Sequence, residues 1–160
     1  MKTIKETMVH TLLLLQLVMQ GCHTPVQDGH DRRTPNLSKG DLMENPLILG
    51  VITTSVNLNT KTMSTLYGNA IAVDHAQGDK GTSYPTNAVL YEVSWKQQPD
   101  SLWFGALIPG TLLSVEKVHF THEGHPIYTL YKGDPLKRME GTKDKDRSIQ
   151  IISRTMAQTP

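Results

Sequence analysis

The chain is poor in cysteine and in aromatic residues, and it has no excess of charge of one sign. Of its 160 residues one is cysteine, 6% are aromatic, and 16 basic residues nearly balance 15 acidic ones. A single cysteine excludes a disulfide scaffold, and a neutral chain without a basic run has no electrostatic reason to bind nucleic acid. Motifs of the common enzyme classes, such as Gly-x-Ser-x-Gly, His-Glu-x-x-His and Cys-x-x-Cys, are also missing. The sequence therefore favours a non-catalytic protein without a nucleic-acid partner.

Residues 1–21 have the pattern of a secretory signal peptide. Two lysines precede an apolar stretch over Met8–Met19, which is shorter than the roughly 20 residues that a membrane-spanning helix needs. The stretch is followed by Gln20, Gly21 and Cys22, the only cysteine of the chain. This junction resembles the lipobox of bacterial lipoproteins, which implies cleavage before Cys22 and acylation of its sulfur.

A lipid on Cys22 would determine where the protein resides and what it contacts. Two or more acyl chains, palmitate among them, anchor a protein stably because each buried methylene contributes about 0.8 kcal/mol. The expected partner is therefore a membrane, reached through the N-terminal lipid. The resemblance to lipoproteins implies the cell envelope, at the outer membrane or at the periplasmic face of the inner membrane.

Two regions are predicted beyond the signal peptide. Residues 22–45 contain two prolines, two glycines and many charged side chains, and they are expected to form the lipidated N-terminus and a flexible tether. Residues 46–160 are long enough to bury one hydrophobic core, and we predict that they form one domain.

Apolar alternation predicts that this domain is rich in strands. Residues 88–95 place Val, Tyr, Val and Trp on one face of a strand, with Glu92 and Ser94 on the other. Such a pattern is typical of a strand whose apolar face meets a hydrophobic core.

Four further segments complete the predicted sheet. Residues 112–121 and 127–132 are two strands that form a hairpin around a turn containing Gly124. The apolar run at 47–52 predicts a buried strand, and the run at 149–152 is expected to close the sheet.

One segment has helical spacing. Small apolar residues recur at that spacing within 69–77, with Asn69 as a plausible N-cap and Gly78 as the stop. Residues 137–147 carry eight charges and predict a solvated loop. The expected fold class is α+β, a mostly antiparallel β-sheet with one or two helices packed on a face.

Histidines are the candidate metal or haem ligands. His122 and His125 stand at the shoulders of the predicted turn, where they could converge on a metal, although solvated turn histidines are the more frequent case. His119 shares a strand face with Val115, and an imidazole that faces a core needs a hydrogen-bond partner or a metal. His75 is predicted on a solvated helix face.

Aromatic residues are concentrated in one part of the chain. Tyr84, Tyr91, Trp95, Trp103 and Phe104 fall within a short segment. Two interpretations stay open: aromatic residues at strand spacing belong to a core, or they form the wall of a pocket for a flat apolar ligand such as haem.

Several segments, taken in order, resemble bacterial proteins that carry a cytochrome P-460 domain. The most specific of these segments contain the motifs Thr-Leu-Tyr-Gly-Asn and Trp-Phe-Gly-x-x-Ile-Pro-Gly. The resemblance covers residues 47–160, and the segments that carry it are Met63–Asn69, Tyr84–Trp95, Trp103–Gly110, Ser114–Glu116 and Ile151–Pro160.

The resemblance implies a β-rich and often dimeric domain with a covalent c-type haem, and oxidation of hydroxylamine or handling of nitric oxide. The chain lacks the Cys-x-x-Cys-His motif that would attach the haem, so no covalent cofactor is expected. We therefore expect an envelope lipoprotein with a non-catalytic binding or interaction role. The alternative is an oxidoreductase that binds haem or a metal non-covalently, with His119 as the candidate ligand.

Overall fold

The computed structural model describes residues 37–78, 81, 83–141 and 144–156. In these residues the strands form a six-stranded antiparallel sheet whose order follows the chain, accompanied by two helices and a single 3₁₀ turn. This architecture confirms the predicted α+β class. The elements are β1 Gly50–Asn57, β2 Thr62–Gly68, α1 Ala70–Gln77, β3 Val89–Pro99, β4 Leu107–Phe120, β5 Pro126–Lys132, β6 Lys137–Arg138, α2 Lys145–Ile152 and the 3₁₀ turn Pro46–Ile48.

The predicted signal peptide, Cys22 and the first part of the predicted tether lie outside the described residues. Their assignment from the sequence stays a prediction. Among the residues that are described, no helix has the length and apolar character required to cross a membrane.

The central strands follow the predicted alternation. β3 includes the predicted strand, and β4 and β5 form the predicted hairpin. At the turn, the amide of Gly124 donates to the carbonyl of Thr121 at 2.9 Å. Gly124 has a φ of +75°, which a residue without a Cβ adopts at little cost. The alternation of apolar residues and the position of Gly124 therefore predicted this part of the sheet correctly.

The sheet has two covered faces. On the helix face, α1 and α2 pack against apolar side chains that include Leu66, Leu90 and Val118. On the opposite face, which we call the strap face, Tyr91, Val93, Trp95 and Val115 are buried with residues from the segment before β1. Alternate residues of β3 thus point into two different clusters, as the pleat of a strand requires.

α1 begins where the sequence predicted. Asn69 accepts a hydrogen bond from the amide of Ala72 at 3.1 Å, and it also accepts one from the amide of Val89 at 3.2 Å. Its side-chain amide donates to the carbonyl of Asn87 at 2.8 Å. Asn69 therefore caps the helix and fixes it to the start of β3 at the same time.

The predicted closing strand at 149–152 is wrong, because these residues belong to α2. Asp144 caps this helix by accepting from the amide of Arg147 at 2.8 Å. Ser148, Ile151 and Ile152 form its buried side, at the i, i+3, i+4 spacing of a helix. The apolar run at 149–152 was too short to distinguish the period of two of a strand from the period of 3.6 of a helix.

The predicted tether extends too far. Leu42 is buried in the strap-face cluster, and the amide of Asp41 donates to the carbonyl of Leu136 at 2.8 Å. The amide of Leu136 donates in turn to the carbonyl of Ser38 at 3.1 Å. Residues 37–45 are therefore a strap that belongs to the folded unit, and the boundary at residue 45 is corrected. Leu37 and Leu42 are the apolar side chains of this segment that pack in the strap-face cluster, and two leucines in a polar segment are a weak signal.

Candidate functional site: a polar pocket with a buried carboxylate

A transverse row of serines crosses the helix face. Ser55 pairs with Ser64, Ser64 with Ser94, and Ser94 with Ser114 in the registers of β1 to β4. Directly paired residues of antiparallel strands point to the same side, so the four hydroxyls line up on one face. The small side chains leave space above the sheet at this level.

The next row contains two glutamates that face each other. Glu92 of β3 pairs with Glu116 of β4, and both are buried, with Glu92 only 1% exposed. Like charges directly opposite each other destabilise a sheet, and a buried carboxylate requires a partner. The arrangement therefore needs cations from elsewhere in the chain.

Arg147 supplies the first cation from α2. Its Nε and Nη2 donate to the two oxygens of Glu116 at 2.8 and 2.7 Å, and Nη2 also lies 3.1 Å from Oε1 of Glu92. The hydrogen bond to Glu116 raises the pKa of Arg147 above its ordinary value, so the guanidinium stays charged. Arg147 is therefore a clamp between the two carboxylates.

Arg154 supplies the second cation, just after α2 ends. Its Nη2 lies 2.9 Å from Oε1 of Glu92, and its Nη1 donates to the hydroxyls of Ser55 and Ser64 at 2.9 and 3.3 Å. Two carboxylates and two guanidinium groups thus balance in charge. The second arginine also joins the glutamates to the serine row.

Tyr128 of β5 completes the environment of Glu116. Its hydroxyl donates to Oε1 of Glu116 at 2.6 Å. Burial and this hydrogen bond raise the pKa of Tyr128 above its ordinary value. The phenol is therefore held as a neutral donor, and both oxygens of Glu116 have partners.

One oxygen of Glu92 differs from the others. Oε2 of Glu92 is buried, yet no described residue donates a hydrogen bond to it. Glu92 lines a cavity of about 610 Å³ that extends over the serine row; Ser55, Asn57, Ser64, Ser94 and Arg154 also line it. A buried acceptor without a partner costs about 1–3 kcal/mol, and more when it is charged. The Glu92 pocket is therefore a site that lacks a donor.

None of the candidate histidines lines the Glu92 pocket. His122 and His125 are exposed in the β4–β5 turn, and no group of three or more His, Cys, Asp or Glu that could hold a metal occurs among the described residues. His119 shares the strap side of β4 with Val115, as predicted, but it is only half-buried, at the edge of that cluster.

His75 is not on a solvated face. It is 5% exposed, its Nε2 lies 3.0 Å from the carbonyl oxygen of Gly81, and its ring centroid lies 4.4 Å from that of Tyr84. The surface prediction is therefore wrong. The histidine is a structural residue that ties the end of α1 to the following loop.

The five aromatic residues do not form one shared wall; the three that are buried belong to the core, as the first of the two open interpretations holds. Tyr84 packs in the helix-face cluster, whereas Tyr91 and Trp95 pack in the strap-face cluster. Trp103 and Phe104 are exposed in the loop between β3 and β4. Closeness in sequence did not bring these rings together, because strand alternation and the loop separate them.

The Glu92 pocket was missed from the sequence. The alternation placed Glu92 and Ser94 on the face opposite Trp95 correctly, but it did not indicate what covers that face. Arg147 lies in α2, whereas Arg154 lies two residues beyond its end, so no local pattern in the sequence indicated that both reach Glu92.

Comparisons with protein families and with curated proteins give no match for this chain.

Proposed function

We propose that this protein is a non-catalytic binding protein of the cell envelope, which holds a small polar ligand in the Glu92 pocket. The observation that carries the proposal is the buried Oε2 of Glu92, which has no hydrogen-bond donor among the described residues. Both oxygens of Glu116 and Oε1 of Glu92 are engaged by arginine or tyrosine. A ligand with a donor group would satisfy the remaining oxygen.

The chemistry of the pocket supports binding rather than catalysis. The hydroxyls of Ser55 and Ser64 hydrogen-bond to each other at 2.8 Å and accept from Arg154. A nucleophilic serine needs a neighbouring base that removes its proton, and a guanidinium cannot serve as that base. Glu92 and Glu116 are likewise engaged by the two arginines.

The proposed location follows from the N-terminal sequence. The signal-like stretch and the Gly21–Cys22 junction support a lipid anchor on Cys22 in the envelope. Intact mass spectrometry of the membrane fraction is expected to give an acylated protein that begins at Cys22. A protein of unmodified mass that begins elsewhere would contradict this part of the proposal.

We also propose a cytochrome P-460-like domain, supported by the segments that resemble that group. Ser64, Glu92, Ser94 and Arg154 of the pocket all lie within those segments. The homodimer implied by the resemblance stays a prediction. Non-covalent haem binding rests on the resemblance alone, and an absorption spectrum of the natively purified protein tests it through the Soret band.

The binding role is tested by retention of small molecules. The full-length protein, purified in detergent, is equilibrated with a small-molecule extract of the cell envelope, and the retained compounds are identified by mass spectrometry. We expect the unchanged protein to retain a polar compound that Glu92→Gln loses at least tenfold. Glu123→Gln is the matched control, because it makes the same change at an exposed glutamate in the β4–β5 turn.

Circular dichroism establishes that both variants are folded before the retention is compared. Equal retention by the unchanged protein and Glu92→Gln would contradict the proposed site. Retention of no compound by the unchanged protein would contradict the binding role.

A further inference from the structure

The hydrogen-bonding groups of the Glu92 pocket define what a ligand must present. Glu92 needs a donor at Oε2. Arg154 has five N–H hydrogens. Its Nη1 donates to the hydroxyls of Ser55 and Ser64, and its Nη2 lies within hydrogen-bond distance of Oε1 of Glu92. Its Nε–H and one Nη2–H are left for an acceptor. The ligand must therefore carry a donor and an acceptor together.

The charges of the site restrict the ligand further. Glu92 and Glu116 balance Arg147 and Arg154, and their side chains contact one another at 2.7–3.1 Å. A ligand with net charge would leave an unbalanced charge beside a buried ion cluster, which is unfavourable at low dielectric constant. A ligand of zero net charge avoids this penalty.

The distance between the two receiving groups limits the spacing of the ligand groups. Nη2 of Arg154 lies 2.9 Å from Oε1 of Glu92, so the carboxylate and the guanidinium stand side by side at the cavity. Ammonium–carboxylate and guanidinium–carboxylate hydrogen bonds are stronger than neutral ones because both partners are charged. The two ligand groups are therefore best matched by an ammonium and a carboxylate attached to the same carbon atom.

We infer that the Glu92 pocket binds a free α-amino acid or a similarly compact zwitterion, with its ammonium on Glu92 and its carboxylate on Arg154. This inference rests on the proposed binding function. The cavity of about 610 Å³ leaves room for a side chain beyond the zwitterionic group. Asn57, Asn59 and Thr62 line the same cavity together with Val56 and Leu58, so both polar and small apolar side chains fit it.

Isothermal titration calorimetry on the full chain in detergent tests the zwitterion requirement. A panel of neutral α-amino acids identifies the best binder, and L-alanine is then compared with propionate, ethylamine and glycine betaine. These three compounds lack the ammonium, the carboxylate and the N–H donors, respectively. We expect each of them to bind at least tenfold more weakly than L-alanine.

Two variants locate the binding. Glu92→Gln is expected to weaken amino-acid binding at least tenfold, whereas Glu123→Gln, which removes an exposed carboxylate in the β4–β5 turn, is expected to change it less than threefold. If Glu92→Gln does not fold, Ser94→Val is the second test, because its larger side chain narrows the cavity beside Glu92 without removing a charge. Ser114→Val is its matched control, since Ser114 belongs to the same row but is not among the residues that line the cavity.

Three results would overturn the inference in distinguishable ways. If glycerol or sorbitol binds in a Glu92-dependent manner and amino acids do not, the pocket binds polyols, and the proposed binding function stands without the zwitterion. If propionate or ethylamine binds as tightly as L-alanine, the paired requirement is wrong. If no amino acid binds, the inference is wrong, and retention from the envelope extract decides the binding function separately.

Discussion

The two faces of the sheet bury strand residues in different chemical environments. The strap face is mostly apolar: Trp95, Val93 and Val115 are closed over by Leu42 from the strap. The helix face is apolar beside α1 and polar near the start of α2, where Glu92 and Arg147 are paired. Stability on the strap face therefore depends on packing, while on part of the helix face it depends on charge balance.

This difference indicates where function can reside. An apolar core is close-packed and loses stability when space is opened in it. A charged cluster next to a cavity keeps space open and offers hydrogen-bonding groups. Substitutions on the two faces are therefore expected to differ in kind as well as in size.

The largest expected effect is the loss of Trp95 on the strap face. Trp95→Ala should lower the free energy of unfolding by about 3–5 kcal/mol, because it removes a buried indole and leaves a cavity. Urea denaturation followed by circular dichroism measures the change. A loss below about 1 kcal/mol would mean that the strap face contributes little to the core.

Leu42 tests whether the strap belongs to the fold. Leu42→Ala should cost about 2–3 kcal/mol, because Leu42 is 3% exposed beneath the sheet. Met43→Ala is the matched control, since the neighbouring Met43 is exposed. Equal stability of the two variants would show that residues 37–45 do not contribute to the folded unit, as the predicted tether up to residue 45 implies.

Arg147 tests the charge balance of the helix face. Arg147→Met should cost about 2 kcal/mol, because it leaves Glu92 and Glu116 opposite each other with Arg154 alone. The expected loss is smaller than for a fully buried pair because the Arg147 side chain is 26% exposed. The exposed Arg138 gives the control, Arg138→Met, for which no measurable change in urea denaturation is expected.

The tyrosines of the two faces should make stability fall at alkaline pH. Burial and a glutamate hydrogen bond raise the pKa of Tyr128 above its usual 10.0, so the folded chain keeps a proton that the unfolded chain loses. This stabilisation is complete below about pH 10 and is lost as the pH rises through the folded-state pKa.

Tyr128→Phe should therefore reduce the alkaline fall and cost about 1 kcal/mol at neutral pH, where it removes a hydrogen bond. Tyr91→Phe is the comparison on the strap face, because burial and Glu44 raise the pKa of Tyr91 as well. Thermal denaturation from pH 7 to pH 11 measures both variants. An unchanged alkaline fall in the double variant would contradict these assignments.

The smallest effect is expected outside both faces. Phe104 is fully exposed in the loop between β3 and β4, so Phe104→Ser should change the free energy of unfolding by less than about 0.5 kcal/mol. A larger loss in urea denaturation would show that this loop packs against another surface.

Much of the sheet could be predicted because its information is local. Alternation in residues 88–95 specified both faces of β3, Gly124 specified the hairpin turn, and Asn69 specified the start of α1. β2 was not predicted, although its segment was recognised for its resemblance. In each successful case the signal lay within a few residues of the element.

The pocket could not be predicted because its parts are distant in the sequence. The alternation of β3 predicts on which face of the sheet Glu92 lies, but it does not predict what covers that face. The residues of α2, which cover it, were expected to form a loop and a strand. The sequence by itself determined the strand pleat, the turn and the helix cap, which depend on local backbone preferences. Only the tertiary structure decided that Glu92 is buried, that two arginines reach it and that one of its oxygens is without a donor, because burial and charge pairing depend on contacts between segments far apart in the chain.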